Sequence, residues 1–327
     1  MPFPGWLQSY RPHQERAIID VIEQFKSGKA IVMLDAPTGS GKTLIAETVR
    51  QAFSWRAVYL CSTLALQDQF MGDFDYAALL RGRANYPTAD TPQLYPHLTA
   101  ADCTKEKASG PVCPDCDPDL DPTDEYRHCR WCHPVSACLY ENEKAIALRS
   151  DLVCANLAYF LYESNYVGAL ADKRDLIIVD EADLLEDSLL SFISVSISSN
   201  QLREYRISNP AKKTVESSWI EWATETEAHL RSLKNRSFGQ DLTGIRKKRA
   251  VARLHVDLLR LVNPKTGIPA GNWVYTGYES GHLEFKPIHV APYADEFFWK
   301  HGSRFLLMSA TTISFIEQAE SLGLSNA

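Results

Sequence analysis

The 327-residue sequence lacks any apolar run close to the length of about 20 residues that a membrane-spanning helix needs. Its N-terminus, with Pro2, Pro4 and Gly5, also lacks the basic start and apolar stretch of a secretory signal peptide. Its nine histidines show no catalytic arrangement. We therefore expect a cytoplasmic protein that does not contact a membrane.

The sequence has no excess of basic residues, since 34 Lys and Arg stand against 41 Asp and Glu, a net charge of −7. This balance argues against a protein that simply coats nucleic acid, but it allows a local basic groove. Cysteine is scarce outside one segment, because six of the eight lie between Cys103 and Cys138. In a reducing compartment such crowding indicates metal ligation rather than disulfides.

Short apolar runs alternate with helical spacing in the first 80 residues. Residues 30–35 and 57–61 are strand candidates, and each precedes a stretch with the spacing of a helix. Repeated strand–turn–helix units predict an α/β fold with a parallel sheet covered by helices. Further along, the pattern predicts strands at 176–179 and 304–308, helices over most of 184–261, and a pair of strands within 273–290.

Residues 36–43, APTGSGKT, follow the first predicted strand and open a helix. Glycines allow a turn tight enough to aim several backbone N–H groups at phosphate oxygens, and the helix N-terminus favours anions. The pattern departs from the phosphate-binding loop GxxxxGKS/T only at Ala36. A lysine here reaches the β- and γ-phosphates of ATP, and the threonine hydroxyl suits Mg²⁺. The predicted ATP-binding residues of the loop are Gly39, Ser40, Gly41, Lys42 and Thr43.

Two adjacent carboxylates, Asp180 and Glu181, follow the apolar run LIIV at 176–179. A carboxylate at the end of a buried strand can hold Mg²⁺, which we assign to Asp180, and Glu181 can orient the attacking water. Asp183 is interpreted as a cap of the next helix. With Lys42, Asp180 and Glu181 are therefore the predicted catalytic residues.

In these motifs the sequence resembles the superfamily-two helicases, in which such a loop and a DEAD-type tetrapeptide occur together. Residues 10–14, YRPHQ, resemble the motif before the loop, so Arg11 and Gln14 would contact the nucleotide, with Gln14 at the adenine edge. Residues 62–64, STL, with Gln67 resemble the motif that contacts single-stranded nucleic acid. Residues 309–311, SAT, resemble the motif that couples hydrolysis to strand movement.

Within that superfamily the chain resembles the iron–sulfur helicases of the XPD and DinG group. Residues 81–87, RGRANYP, resemble the entry into their cluster domain, and residues 138–140, CLY, resemble the exit. The resemblance implies three parts: a RecA-like first motor domain with a parallel sheet, a metal-bound cysteine-rich insertion and a mainly helical arch. Their predicted bounds are 1–80, 150–183 and 291–327 for the motor domain, 81–149 for the cluster insertion, and 184–290 for the arch.

The resemblance also implies a 4Fe–4S cluster. In the group the first cluster cysteine directly follows the Asn-Tyr-Pro stretch, where this sequence has Thr88, so Cys103 is the nearest substitute. We expect the cluster on Cys103, Cys129, Cys132 and Cys138. Two other ligand sets remain open: a zinc ribbon of Cys113, Cys116, Cys129 and Cys132, and a set of Cys103, Cys113, Cys116 and Cys138. Cys61 and Cys154 lie in apolar strands and are predicted core residues.

Residues 246–249, RKKR, with Arg253 one turn further on, form a basic stretch that suits a phosphate backbone. The resemblance implies an ATP-dependent helicase that moves 5′-to-3′ on single-stranded DNA or DNA junctions. A second motor domain, in cis or in trans, would complete its ATP site, and we expect only slow hydrolysis without it. The alternatives are a nucleotide-gated DNA-binding module without turnover and a zinc-ribbon protein that uses ATP as a switch.

Overall fold

The computed structural model describes residues 9–88, 93–94, 96–103, 138–168, 170, 174–212, 214–236, 238–239, 241–262, 273–276, 282–311 and 314–324. The chain forms two compact units. The first comprises Met1–Leu185 and Lys300–Phe315, and the second comprises Glu186–Trp299 and Ile316–Ala327. Within the described ranges, no helix is both long enough and apolar enough to cross a membrane.

The first unit is built on a parallel sheet of the strands β1 (Ile31–Asp35), β2 (Ala57–Cys61), β3 (Ala78–Leu80), β4 (Leu152–Asn156), β5 (Leu176–Val179) and β9 (Phe305–Ser309). The strands lie side by side in the order β1-β9-β5-β2-β4-β3. Every residue of β2, β5 and β9 is buried, as expected for strands covered on both faces. The predicted α/β fold with a parallel sheet is therefore confirmed.

Helices of the first unit cover this sheet through apolar stripes. In the first helix, Ile18, Val21, Ile22 and Phe25 recur at helical spacing and are buried in the core with the strands. Pro12 occupies the first helical position, where no N–H is needed. The helices of this unit are α1 (Pro12–Lys26), α2 (Lys42–Ala52), α3 (Leu64–Asp73), α4 (Leu139–Arg149) and α5 (Leu157–Tyr166), with short 3₁₀ turns at Arg83–Asn85 and Ala182–Leu184.

The second unit contains an antiparallel sheet in the order β6 (Val195–Ile197), β8 (Leu283–Pro287), β7 (Trp273–Tyr275). Its core is aromatic, because Trp219 and Trp222 lie with their ring centroids 5.1 and 5.6 Å from that of Phe285. The helices after β5 are α6 (Leu185–Ile193), α7 (Ser199–Glu204), α8 (Glu216–Lys234), α9 (Leu242–Val262), α10 (Ala291–Phe297) and α11 (Phe315–Ser321), with a 3₁₀ turn at Trp299–His301.

The elements of the second unit largely follow the sequence pattern. The strand pair within 273–290 and the mainly helical character of 184–261 are confirmed, whereas the short strand β6 was not predicted. The units divide residues 291–327 differently from the predicted domains. Residues 291–299 belong to the second unit, where the ring of Phe297 packs on Phe192 and that of Tyr293 on Trp273. The assignment of motor, cluster and arch to these parts stays a prediction.

Candidate functional site

The predicted phosphate-site residues lie at one edge of the first unit's sheet. Strands β1, β9, β5 and β2 are neighbours and parallel, so their carboxyl ends lie side by side. The phosphate loop follows β1, Asp180 follows β5, Ser62 follows β2, and Ser309 ends β9. Four segments that are distant in the sequence therefore meet where open α/β sheets bind ligands.

The loop after β1 adopts the backbone that its glycines allow. Gly39 and Gly41 have φ angles of 78° and 84°, in the left-handed region. A Cβ on Gly41 would displace the amide end of Gln14 from its position against the loop, so glycine here also leaves room for that side chain. Helix α2 starts directly at Lys42, whose Nζ donates to the Ala36 carbonyl at 3.1 Å. The loop thus presents a helix N-terminus, and its lysine is held by the backbone of the loop.

Gln14 is buried and forms a hydrogen bond with the loop. Its Nε2 donates to the Ser40 carbonyl at 2.8 Å, and its Oε1 accepts from the Arg11 backbone N–H at 3.0 Å. His13 Nε2 lies 3.3 Å from the same Ser40 carbonyl. The predicted contact of Gln14 and Arg11 with the nucleotide stays a prediction. In the structure the Gln14 side chain binds the backbone of Ser40 in the loop.

Asp180 lies close to the phosphate loop through a tyrosine. Tyr59, in β2, donates from its hydroxyl to Asp180 Oδ2 at 2.9 Å. The Tyr59 hydroxyl oxygen also lies 3.2 Å from Thr43 Oγ1. The Glu181 backbone N–H donates to the other Asp180 oxygen at 3.1 Å. Burial raises the pKa of Asp180, while the Tyr59 hydrogen bond and the charge of Lys42 counteract this.

Glu181 has an unusual backbone for a residue with a side chain, because its φ of 54° lies in the left-handed region. Its carboxylate accepts a hydrogen bond from the Ser62 hydroxyl. Asn156 in turn donates to the Ser62 carbonyl at 2.8 Å and caps α5 with its other amide atom. The predicted water-orienting glutamate is therefore held by the segment predicted to contact nucleic acid.

Asp183 does not cap a helix, which corrects the interpretation from the sequence. It lies in the 3₁₀ turn at Ala182–Leu184, and its carboxylate accepts from Ser309 Oγ at 2.7 Å and Thr311 Oγ1 at 2.8 Å. Burial alone would raise the pKa of Asp183, but these two hydroxyl donors lower it below its ordinary value. The structure thus joins the acidic motif after β5 to the Ser-Ala-Thr motif after β9.

Gln67 was predicted to belong to the nucleic-acid contact, and that prediction is wrong. Its exposed fraction is 0%, and its Nε2 donates to the Leu80 carbonyl at 3.4 Å. A fully buried amide cannot touch a nucleic acid. Leu64 and Thr63 are exposed, and Thr63 caps α3 by accepting from the Leu66 N–H at 3.3 Å.

Tyr59 was not among the predicted site residues. A detectable signal was present, since a tyrosine in the otherwise apolar strand AVYLC needs a polar partner for its hydroxyl. Burial raises the pKa of the Tyr59 hydroxyl well above its ordinary value, so the group stays protonated and can donate. The predicted core residues Cys61 and Cys154 are confirmed, because both are buried, with their sulfur atoms 3.7 Å apart.

Two of the predicted cluster ligands lie in the described residues. Cys103 Sγ lies 3.2 Å from the hydroxyl oxygen of Thr88, which follows the Asn-Tyr-Pro stretch. Cys138 is buried and directly precedes α4. Arg83 joins these flanks, since it donates to the Ala100 carbonyl at 2.9 Å and to Glu141 at 2.7 Å. Cys113, Cys116, Cys129 and Cys132 lie outside the described residues.

Within the described residues, no group of side chains has the arrangement of a metal site. The thiols of Cys103 and Cys138 nevertheless have the donor chemistry that either an iron–sulfur cluster or zinc requires. The choice between these metals, and among the three candidate ligand sets, stays a prediction.

The basic stretch lies on α9 of the second unit. Arg246, Lys247, Lys248 and Arg253 are exposed, and Lys247 forms an ion pair with Glu204 at 3.1 Å. The opposite side of the helix is buried in the core of the unit, through residues that include Val251, Leu254 and Leu258. The stretch is therefore an outward-facing basic surface, which we call the α9 basic face and define as Arg246, Lys247, Lys248 and Arg253.

Comparison with known proteins supports the resemblance drawn from the motifs. A family model described as the res subunit of type III restriction enzymes matches residues 8–96. A solved structure described as an XPD helicase has 16% identity and a TM-score of 0.54, over 97% of this chain and 61% of that one. A second, described as truncated XPD, has 17% identity and a TM-score of 0.52, over 95% of this chain and 97% of that one. No curated protein sequence matches.

The chain therefore has the fold of XPD helicases, and the predicted likeness to them is confirmed. It spans 61% of the length of the first of these structures.

Proposed function

We propose that the chain is the nucleotide-binding motor part of an ATP-dependent DNA helicase. The observation that carries the proposal is the meeting of four motifs at the carboxyl edge of one parallel sheet. There Asp180 is linked to Thr43 of the phosphate loop through the Tyr59 hydroxyl, and Glu181 accepts from Ser62. Asp183 of the same acidic motif accepts from Ser309 and Thr311. The fold of XPD helicases and the match of residues 8–96 support it.

The phosphate groups of ATP would lie at the N-terminus of α2, where backbone N–H groups and the helix dipole favour anions. Lys42 would leave the Ala36 carbonyl and pair with the terminal phosphates. Glu181 would exchange the Ser62 hydroxyl for the attacking water and orient that water toward the γ-phosphate.

Mg²⁺ fits the oxygen donors beside the loop. The Thr43 hydroxyl and the Asp180 carboxylate share one hydrogen-bonding neighbour, the Tyr59 hydroxyl, so both oxygen donors lie on the same side of the site. When bound, Mg²⁺ would neutralise charge on the phosphates. Asp180 and Thr43 would hold the ion through their side-chain oxygens.

The Asp183 hydrogen bonds to Ser309 and Thr311 would couple the nucleotide state to movement on DNA. Asp183 lies three residues after Asp180, and both of its partners lie at the end of a different strand. A shift of the acidic motif on hydrolysis would therefore be transmitted to β9. The polarity, 5′-to-3′, comes from the resemblance alone.

A second motor domain, in cis or in trans, would complete the ATP site, again by resemblance. An arginine contributed across the cleft is worth a factor of roughly 10³–10⁵ in phosphoryl-transfer enzymes. We therefore expect this chain alone to bind ATP and to hydrolyse it very slowly.

A 4Fe–4S cluster on Cys103, Cys129, Cys132 and Cys138 is also part of the proposal, with zinc as the alternative. The position of Cys103 beside Thr88 supports its place in the set. Analysis of iron, zinc and acid-labile sulfide on anaerobically purified protein tests it. About four irons and four sulfides per chain support the cluster, and one zinc without sulfide would move the ligands to the zinc-ribbon set.

The decisive experiment for the motor measures binding of a fluorescent ATP analogue and ATP hydrolysis, each with and without single-stranded DNA. Lys42→Ala should weaken binding more than tenfold, since it removes the phosphate-binding cation. Lys29→Ala is the matched control, because Lys29 is an exposed lysine before the opposite end of β1. Binding that survives Lys42→Ala would contradict the proposal.

A nucleotide-gated DNA-binding module without turnover is the second candidate. It is favoured by one observation: Lys42 and Glu181 are both engaged within the chain, by the Ala36 carbonyl and the Ser62 hydroxyl. ATP-dependent DNA binding without any DNA-stimulated hydrolysis, even when a second motor domain is supplied in trans, would favour this candidate over the motor.

A further inference from the structure

The hydroxyl of Tyr59 is a buried polar group of the first unit that lies between Thr43 of the phosphate loop and Asp180. Tyr59 is 2% exposed and lies at the centre of β2, where its register partners on the neighbouring strands are Cys154 and Ile178. Its ring packs on Phe70, with the centroids 4.3 Å apart. The ring alone would be satisfied by these apolar neighbours, so the hydroxyl needs its own explanation.

The partners of this hydroxyl are the two predicted Mg²⁺ ligands. Asp180 Oδ2 lies 2.9 Å away and Thr43 Oγ1 lies 3.2 Å away. A phenol has one proton to donate, and a carboxylate is the stronger acceptor. The Tyr59 proton therefore goes to Asp180, and the Thr43 hydroxyl can donate to the phenol oxygen. In this arrangement the lone pairs of Thr43 remain open toward a cation.

The geometry also limits the freedom of both ligands. Tyr59 has only two side-chain torsions, and its ring is enclosed by the core, so its hydroxyl marks a fixed point at the sheet edge. Thr43 opens α2 and Asp180 follows β5, and in the described part of the chain their side chains form no direct hydrogen bond with each other. One rigid hydroxyl thus determines the spacing between them.

We propose that Tyr59 is a positioning residue of the Mg²⁺–nucleotide site, which holds Thr43 and Asp180 in register through its hydroxyl. The inference rests on the proposed function and goes beyond it, because none of the motifs includes this strand residue. It requires that the hydroxyl contribute to the Mg²⁺-dependent part of nucleotide binding and leave the Mg²⁺-independent part unchanged.

The test compares Tyr59→Phe with the parent chain, using a fluorescent ATP analogue in excess Mg²⁺ and in EDTA. The variant keeps the ring and removes one oxygen. We expect affinity in Mg²⁺ to fall about tenfold, the worth of one hydrogen bond to a charged group, with affinity in EDTA unchanged. Tyr159→Phe is the matched control, since its hydroxyl lies 2.9 Å from that of Tyr140, and it should leave both affinities unchanged.

A double-mutant cycle separates positioning from a general effect on folding. If Tyr59 acts partly through Asp180, Tyr59→Phe should weaken Mg²⁺-dependent binding less in an Asp180→Asn background than in the parent chain. Additive losses, parent-like binding, an equal loss in EDTA, or a Tyr59→Phe chain that does not fold would each overturn the inference. A parent chain whose nucleotide binding does not depend on Lys42 would overturn the proposed function as well, so the two failures are distinguishable.

Discussion

The sheet edge of the first unit and the α9 basic face of the second unit use polar side chains in opposite ways. At the edge, Asp180, Glu181 and Asp183 each accept a hydrogen bond from a hydroxyl that is far away in the sequence. On α9 the basic side chains are exposed. Charge-assisted hydrogen bonds have larger and more discrete effects, whereas exposed charges without such bonds contribute small, additive and salt-dependent ones.

The largest effect is expected from a buried ion pair of the first unit. Lys144 and Glu163 lie 2.7 Å apart with side-chain exposures of 3% and 2%. Lys144→Ala should lower the free energy of unfolding by about 3–5 kcal/mol, because it leaves a buried carboxylate without its cation. Chemical denaturation measures the change.

The control for that variant replaces both partners. Lys144→Met with Glu163→Leu should recover much of the lost stability, since no uncompensated charge remains in the core. A single variant as stable as the parent would contradict the distinction between buried and exposed polar groups.

The next effect concerns the link between the acidic motif and β9. Asp183→Asn removes the charge that accepts from Ser309 and Thr311. We expect nucleotide binding to be retained, while DNA stimulation of ATP hydrolysis falls about tenfold, the worth of one charge-assisted hydrogen bond. Steady-state hydrolysis with and without single-stranded DNA, with a second motor domain supplied in trans, provides the measurement.

Asp187→Asn is the matched control for Asp183→Asn, because Asp187 is an exposed carboxylate one turn further along the chain. It should leave the stimulation unchanged. Equal losses in the two variants would show that the Ser-Ala-Thr motif does not act through Asp183.

A smaller effect is expected from His301, a polar group held neutral in the first unit. Burial lowers its pKa to about 4, and the charge of Lys300 acts in the same direction. Since the unfolded chain titrates near 6.5, it binds more protons than the folded chain between these values, so stability is complete above about pH 6.5 and falls on acidification.

Partial exposure reduces the size of the His301 effect to about 1 kcal/mol. His301→Gln keeps a polar partner for Asn165, whose Oδ1 lies 3.0 Å from His301 Nε2. The difference in unfolding free energy between parent and variant should narrow between pH 6.5 and pH 4.5. A difference that is independent of pH would show that His301 is not held neutral.

The smallest effect is expected on the α9 basic face. Lys248→Gln should weaken single-stranded DNA binding two- to threefold and reduce the slope of log affinity against log salt by about 0.7. Lys234→Gln, an equal charge change at the exposed end of α8, is the control and should alter neither. A loss above tenfold from Lys248→Gln would place this residue among the partnered groups instead.

Much of the fold could be predicted, because the apolar runs at 57–61 and 176–179 are local signals of buried strands. The phosphate loop could be predicted for the same reason, since its glycines, Lys42 and Thr43 are adjacent in the sequence. Gln67 was predicted wrongly, because helical spacing does not reveal which face of α3 is covered. Asp183 was misread because its partners lie 126 and 128 residues away.

The sequence by itself determined which side chains the candidate site contains: a glycine-rich loop with a lysine and a threonine, two carboxylates after a buried strand, and a segment crowded with cysteine. Only the tertiary structure decided the pairs, which join Tyr59 to Asp180 across 121 residues and Ser62 to Glu181 across 119. The physical reason is that propensity and periodicity act over a few neighbouring residues. The partner of a buried hydroxyl is instead set by strand order, which places β2 beside β5 and β9 beside β1.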